Sequence, residues 1–175
     1  MRKVSVVRVL GIDPGTRVTG YGIVEQSGRG LSYVCGGEIR PPQTRVLSKR
    51  LFILSEELSN IIEEYRPTCV AVEGLYFALN ARSAMMLGHA RGVVLVSAAR
   101  YGLDVFEYSP STVKQSITGY GNAAKEQVNG MIRRLLKSDE IDRLDVSDAL
   151  AVAICHIHHQ RYSGKRASLC NSFPL

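Results

Sequence analysis

Apolar residues recur along the chain in two rhythms, and each switch between them marks an element. Val7, Val9, Leu10 and Ile12 form a run that is apolar on both faces, which predicts a buried strand. The run ends on Asp13, and Pro14-Gly15 then turns the chain sharply. Val18 to Gln26 and Leu31 to Ile39 read as two further strands around the turn signal Gly28-Arg29-Gly30. Connections this short predict an antiparallel meander. Gly20 and Gly22 inside the second strand mark something that comes close to its backbone. Two readings stand: a metal with a phosphate, or a packed helix.

Past Pro41-Pro42 the period changes to that of a helix. Leu47, Leu51, Leu54, Leu58, Ile61 and Tyr65 trace one apolar stripe, closed by Arg66-Pro67. Cys69 to Glu73 predicts a short buried strand, again with a carboxylate at its carboxyl end. A long helix follows from Asn80 or Ala81 to Tyr101. Its small residues Ala84, Gly88 and Gly92 suit tight core packing or a dimer seam. Asp104 to Tyr108 predicts another strand, Ser109-Pro110-Ser111 opens a short helical turn, and Gly119 to Asn122 forms a loop. Ala123 to Lys137 predicts an amphipathic helix with Val128, Met131, Ile132, Leu135 and Leu136 inward. The last helix runs roughly from Leu144 to His159, with Ala149, Leu150, Ala153, Ile154 and Ile157 as its core face. Three strands, helix, strand, helix, strand and then helices give an α/β fold, a mixed sheet with helices on its faces. The expected organisation is one domain over 1–159 and a basic, fraying tail over 160–175.

Composition narrows the partners. A chain of 175 residues suffices for one domain with a sizeable core. The formal net charge of +6 favours an anionic partner, nucleic acid first. Cys35, Cys69, Cys155 and Cys170 are scattered without a C-x-x-C pair, which argues for reduced thiols and a cytoplasmic location. Cys155 with His156, His158 and His159 invites a zinc reading, but these positions do not point one way on a helix; Cys155 is expected in the core and the histidines on the surface. No stretch is long and apolar enough to span a membrane, so no membrane partner is expected.

The carboxylates carry the chemistry. Asp13 and Glu73 each end a buried strand, where an unpaired charge is costly. If those strands are neighbours, the two groups converge at one end of the sheet, where ligands sit in open α/β sheets. Asp145 and Asp148 stand three apart on one face of the last helix, in what reads as its first turn. Each has a plain structural alternative: Asp13 as a turn aspartate, and the helix pair as residues that suit a helix start. Four carboxylates gathered together would repel unless cations were present. Oxygen-only donors select Mg²⁺ or Mn²⁺, and two such ions suit phosphoryl transfer. With the basic surface, this points to a nuclease.

Five blocks now carry a resemblance: G-I-D-P-G-T-R-V-T-G-Y-G at 11–22, A-V-E-G-L-Y-F at 71–77, L-G-H-A-R-G at 87–92, V-K-Q-S-I-T-G-Y-G at 113–121 and D-V-S-D-A-L-A at 145–151. In order and spacing they resemble the RuvC-type Holliday junction resolvases of the ribonuclease H-like superfamily, from about Val7 to His159. The resemblance implies a ribonuclease H-like sheet of three antiparallel strands followed by parallel strands. It implies a homodimer that nicks two strands of like polarity in a four-way DNA junction, leaving a 5′-phosphate and a 3′-hydroxyl. It implies two Mg²⁺ per active site, replaceable by Mn²⁺, and cooperation with a branch-migration motor of the RuvA and RuvB type. The family's acidic positions fall on Asp13, Glu73, Asp145 and Asp148; some members carry histidine near the last. Lys114 and Lys125 match two lysines linked to DNA binding and catalysis, with Lys114 placed among the catalytic residues. Tyr76 falls where the family places an aromatic wedge for the opened junction centre. Phe77 beside it either joins the DNA contact or closes the core, and Leu79 stands where a lysine would have suited a phosphate. Arg82, Arg133 and Arg134 are further phosphate-contact candidates.

Three other readings compete. A nucleotide-binding ATPase of the actin and sugar-kinase type also opens with G-I-D-x-G, but needs a second phosphate loop in a second domain. A non-catalytic junction-binding module would tolerate loss of a carboxylate, and all four are present. A related RNA-processing nuclease should lack the V-K-Q-S-I-T-G-Y-G block.

Overall fold

Strand alternation sorts the side chains between two helical layers. The computed structural model describes residues 6–28, 30–42, 44, 46–74, 81–138 and 141–162. Strands β1 (Val7–Asp13), β2 (Thr19–Ser27) and β3 (Gly30–Ile39) form the antiparallel meander, and β4 (Cys69–Glu73) and β5 (Val105–Tyr108) extend it in parallel. The sheet order is β3-β2-β1-β4-β5, so β1 and β4 are neighbours. Along β1, Leu10 and Ile12 face a core with α1 (Leu47–Tyr65) and α2 (Ala81–Arg100). Val9 faces the opposite core, built with α3 (Pro110–Thr118), α4 (Lys125–Leu136) and α5 (Leu144–Tyr162).

The caps explain where these helices begin and end. Helix α1 stops because Arg66 turns left-handed (φ 47°), its N–H still donating to the Ile62 carbonyl at 2.9 Å, and Pro67 follows. The short turn expected at Ser109-Pro110-Ser111 is a full helix. The Ser109 hydroxyl accepts the Thr112 N–H at 3.0 Å, Pro110 takes the first helical position, and Gly119 closes the end at φ 90°. Helix α4 begins where the Gln127 side chain accepts the Ala124 N–H at 3.1 Å.

Helix α5 departs most from a one-faced pattern. Every residue from Ala149 to Ile157 is buried, because the helix lies between the sheet and the α3–α4 pair. Glycines make this possible. A Cβ on Gly11 would stand 2.0 Å from the Ala149 carbonyl oxygen, and one on Gly20 would stand 2.1 Å from the Asp145 carbonyl oxygen. The close approach marked by the strand glycines is thus a packed helix. Helix α5 also extends past His159, to Tyr162.

Candidate active site

Period-two alternation aims the strand-end carboxylates at α5. Asp13 follows Val9 and Gly11 on that face, and Glu73 follows Cys69 and Ala71. The β1–β4 register pairs Ile12 with Val72, so Asp13 and Glu73 stand one step further on, at adjacent strand ends. The contact between Gly20 and Asp145 sets the start of α5 over the same end. Asp145 is in the first turn of α5, where the helix dipole favours a carboxylate. Asp148 stands in the second turn rather than the first, since α5 begins at Leu144.

The convergence has an electrostatic consequence. The Asp13 carboxyl is pushed up from 3.8 to about 7, first by burial and then by the charges of Glu73, Asp148 and Asp145, with Lys125 opposing. Glu73 is raised too, by burial and by Asp148, against the pull of Lys125 and Lys114. Lys125 donates to Asp148 Oδ2 at 2.7 Å, and this bond leads the rise of its own pKa. Glu73, Lys114, Lys125 and Asp148 line a cleft of about 210 Å³ floored by Val113, Val128 and Ala151. The described carboxylates lie within electrostatic range rather than in contact: among the described residues no three His, Cys, Asp or Glu side chains are drawn around a common point. The donors are all oxygen and their repulsion is only partly met by two lysines, which fits a hard divalent cation.

Tyr76, Phe77 and Leu79 lie outside the described residues. Arg82 is exposed in the first turn of α2. Arg133 is committed locally: its Nε donates to the Ile141 carbonyl at 3.1 Å, and its guanidinium lies 3.6 Å from Asp142. The surface placement expected for the histidines fails at His156, which is 1% exposed. Its Nδ1 meets the Tyr108 hydroxyl at 2.7 Å, its Nε2 meets the Gln160 amide at 2.8 Å, and Phe106 packs on the ring. Cys155 is buried as expected, its thiol 3.9 Å from the Thr112 carbonyl, which leaves the zinc reading without support.

One feature of this end of the sheet went unread in the sequence. The ladder pairs Asp13 with Gly20 and Gly20 with Glu38, so Glu38 of β3 lies in the same row as Asp13. Its side chain is only 4% exposed and accepts from Arg40 Nε at 2.8 Å and from Arg143 Nη1 at 2.6 Å. The available signal was a third carboxylate near a strand end, in G-E-I-R at 37–40.

Comparison with known proteins agrees with this geometry. A family model described as crossover junction endodeoxyribonuclease RuvC matches residues 9–156. The crossover junction endodeoxyribonuclease RuvC of Geobacter sulfurreducens is 51% identical over 150 residues, covering 86% of this chain and 92% of that protein. That of Heliobacterium modesticaldum is 51% identical over 151 residues, covering 86% and 93%. The structure of T. thermophilus RuvC in complex with a Holliday junction substrate superposes with a TM-score of 0.85 at 33% identity, over 90% of this chain and 96% of that one. The yeast mitochondrial Holliday junction resolvase Ydc2 is 13% identical and shares the fold, with a TM-score of 0.65 over 89% of this chain and 81% of that one. The sheet order and helical layers are those of the ribonuclease H-like fold. The chain belongs to the RuvC family of crossover junction endodeoxyribonucleases.

Proposed function

We propose that this chain resolves four-way DNA junctions by paired nicks in strands of like polarity, leaving 5′-phosphate and 3′-hydroxyl ends. One observation carries the reading: the carboxylates of β1, β4 and α5 converge at one end of the sheet, beside Lys114 and Lys125. Asp13, Glu73, Asp145 and Asp148 are the ligands we assign to two Mg²⁺ ions, with Mn²⁺ able to substitute. When bound, these ions supply an activated water and charge stabilisation at the leaving oxygen. Lys114 and Lys125 line the cleft and counter the charge of the phosphodiester brought there. Lys125 is already an ion-pair partner of Asp148, so it also steadies the helix carboxylate. Tyr76, and Phe77 beside it, are assigned to the opened base steps at the junction centre, where stacking is worth about 1–3 kcal/mol per base.

A homodimer follows from the paired cuts, and we place its seam on the exposed side of α2. Met85 and Val96 are 60% and 62% exposed there, and no described residue outside the helix lies within 4 Å of a Cβ added at Gly88 or Gly92. The same reading makes residues 1–159 the nuclease domain and 160–175 a basic tail. It also includes a branch-migration motor of the RuvA and RuvB type as partner, and the cytoplasm as location. Cys35, Cys69 and Cys155 are unpaired thiols, as that location favours. No helix among the described residues is long and apolar enough to cross a membrane.

The deciding experiment is cleavage of a labelled mobile four-way junction, with a linear duplex beside it, in Mg²⁺ and in EDTA. Symmetric nicks in the junction alone, lost in EDTA, are expected. Tight junction binding with no cleavage in either Mg²⁺ or Mn²⁺ would leave a binding module. Preferential cleavage of RNA or linear duplex would keep the metal site and replace the substrate.

A further inference from the structure

The row of side chains at this end of the sheet runs Glu38, Gly20, Asp13 and then the strand end bearing Glu73. Cations flank the carboxylates on the β4 side, as Lys114 and Lys125. The β3 side carries its own pair. Arg40 and Arg143 both close on Glu38, with ion-pair distances of 2.6 Å each. We propose that Glu38 orients Arg40 and Arg143 as a two-arginine clamp for the DNA backbone, gripping a phosphate on the β3 side of the cut.

Charge and exposure separate this from a plain structural tie. The Glu38 side chain is 4% exposed, whereas those of Arg40 and Arg143 are 59% and 64% exposed. Burial alone would raise the Glu38 carboxyl; the hydrogen bonds and charges of the two arginines outweigh it and lower it instead. The carboxylate is therefore ionised, and two guanidinium groups share one negative charge. The trio keeps a net positive charge at the surface. Each guanidinium has five N–H donors in a fixed fork, and Glu38 takes a minority of them. The donors left over match what a phosphate accepts. A tie between β3 and the start of α5 would need only Arg143, which directly precedes that helix. Arg40 follows the last residue of β3 and pairs with Glu38 from within the same segment, so its ion pair ties no second element.

Spacing fits the same role. Two strand separations of about 4.8 Å place the row position of Glu38 about 10 Å from that of Asp13. That is roughly three base steps of ~3.4 Å rise along one strand. Beside Arg143 lies a polar cleft of about 410 Å³, lined by Tyr33, Gly36, Gly37, Asp142 and Val146. Its one carboxylate among the described residues, Asp142, faces Arg133. A strand crossing the carboxylates would thus meet lysines on one side and arginines on the other.

This clamp rests on the junction-nuclease reading, and the test separates the two. Junction affinity is measured in EDTA over 50–200 mM salt for wild type, Arg40→Gln, Arg143→Gln, the double variant and the corresponding Lys variants. Thermal midpoints are taken alongside, and cleavage of the same junction is measured in Mg²⁺. Because the two arginines share one phosphate, the double variant should flatten the slope of log affinity against log salt by about 0.9 and each Gln variant by part of that, uniformly across junction sequences. The Lys variants should recover most of the slope, because the charge returns. A double variant with wild-type affinity and slope, in a protein that cuts junctions, overturns the clamp alone. So does a loss of binding that merely follows a fall in thermal midpoint at Arg143 and is absent at Arg40. A wild-type chain that neither binds nor cuts junctions removes the nuclease reading, and the clamp with it.

Discussion

Asp13, which we assign as a metal ligand, is unfavourable for the fold, and that assignment makes it necessary for the chemistry. Its carboxyl is held near pKa 7 by burial and three neighbouring carboxylates, so ionising it costs the metal-free protein stability. Asp13→Asn removes that cost together with a ligand. Cleavage should fall by at least ~10²-fold, the scale on which one preorganised electrostatic group acts, while junction affinity in EDTA stays within a few-fold. Parallel cleavage and gel-shift titrations check this, and an Asn variant cutting at the wild-type rate would sink the metal-site assignment. His156 gives a prediction of opposite sign. Burial, with His159 nearby, pushes its imidazole down to about 4, against about 6.5 in the unfolded chain. Between those values the unfolded chain binds more protons, so this contribution to stability is lost as pH falls. Lowering the pH from 7 to 5 should cost about 2 kcal/mol through this residue. Asp13 works the other way over pH 4 to 7, because its proton favours the folded state. Comparing urea midpoints of wild type and His156→Gln at both pH values cancels that common part. Equal pH dependence in the two proteins would refute the assignment to His156.

At the scale of elements, the site depends on how tightly α5 seats on the sheet. Gly11→Ala would drive a methyl into the Ala149 carbonyl, which is backbone and cannot swing away. The expected result is a loss of about 1–3 kcal/mol, the usual cost of overpacking, with a fall in cleavage because α5 carries Asp145 and Asp148. Gly88→Ala on α2 meets no described residue outside its own helix within 4 Å and should raise the stability of the monomer by up to ~1 kcal/mol. Denaturant melts of the two variants test the contrast; equal effects would mean that the seating is not as tight as it reads. The same helix marks what was legible in the sequence. Glycines inside β2 announced a close approach, since a missing Cβ is visible in the chain; which element approached depends on topology, and a strand does not name its partner. The convergence of Asp13 and Glu73 was legible only as a condition, that β1 and β4 be neighbours. His156 was misplaced because a histidine inside an apolar helix looks the same whether it faces water or Tyr108. The Glu38–Arg143 pair was missed because the two are far apart in the sequence; Gly20 joins them, paired with Glu38 in the ladder and packed against Asp145 at the start of α5.

For the whole molecule, the two faces of the sheet divide the labour. The α5 face gathers the carboxylates and their cations, and the α1–α2 face leaves a stripe that no other described residue covers. On α2, Met85, Gly88, Gly92 and Val96 recur at three- and four-residue spacing, opposite the buried Ala90, Val94 and Ala98. Phe52 of the adjoining α1 is 64% exposed as well. With Asp13, Glu73, Asp145 and Asp148 assigned to one metal site, one copy supplies one cutting centre, whereas paired nicks need two. A two-fold seam along the α2 stripe would supply the second without adding a residue to either centre. Met85→Glu with Val96→Glu places like charges across such a seam while leaving both core layers untouched. The double variant should sediment as a folded monomer with the wild-type thermal midpoint at low concentration. On a supercoil-extruded junction it should release nicked circles, the product of one cut, in place of the linear product of two cuts within one complex. A variant that stays dimeric and still gives linear product would move the seam elsewhere; a monomer that gives linear product would show that the two cuts do not require the dimer.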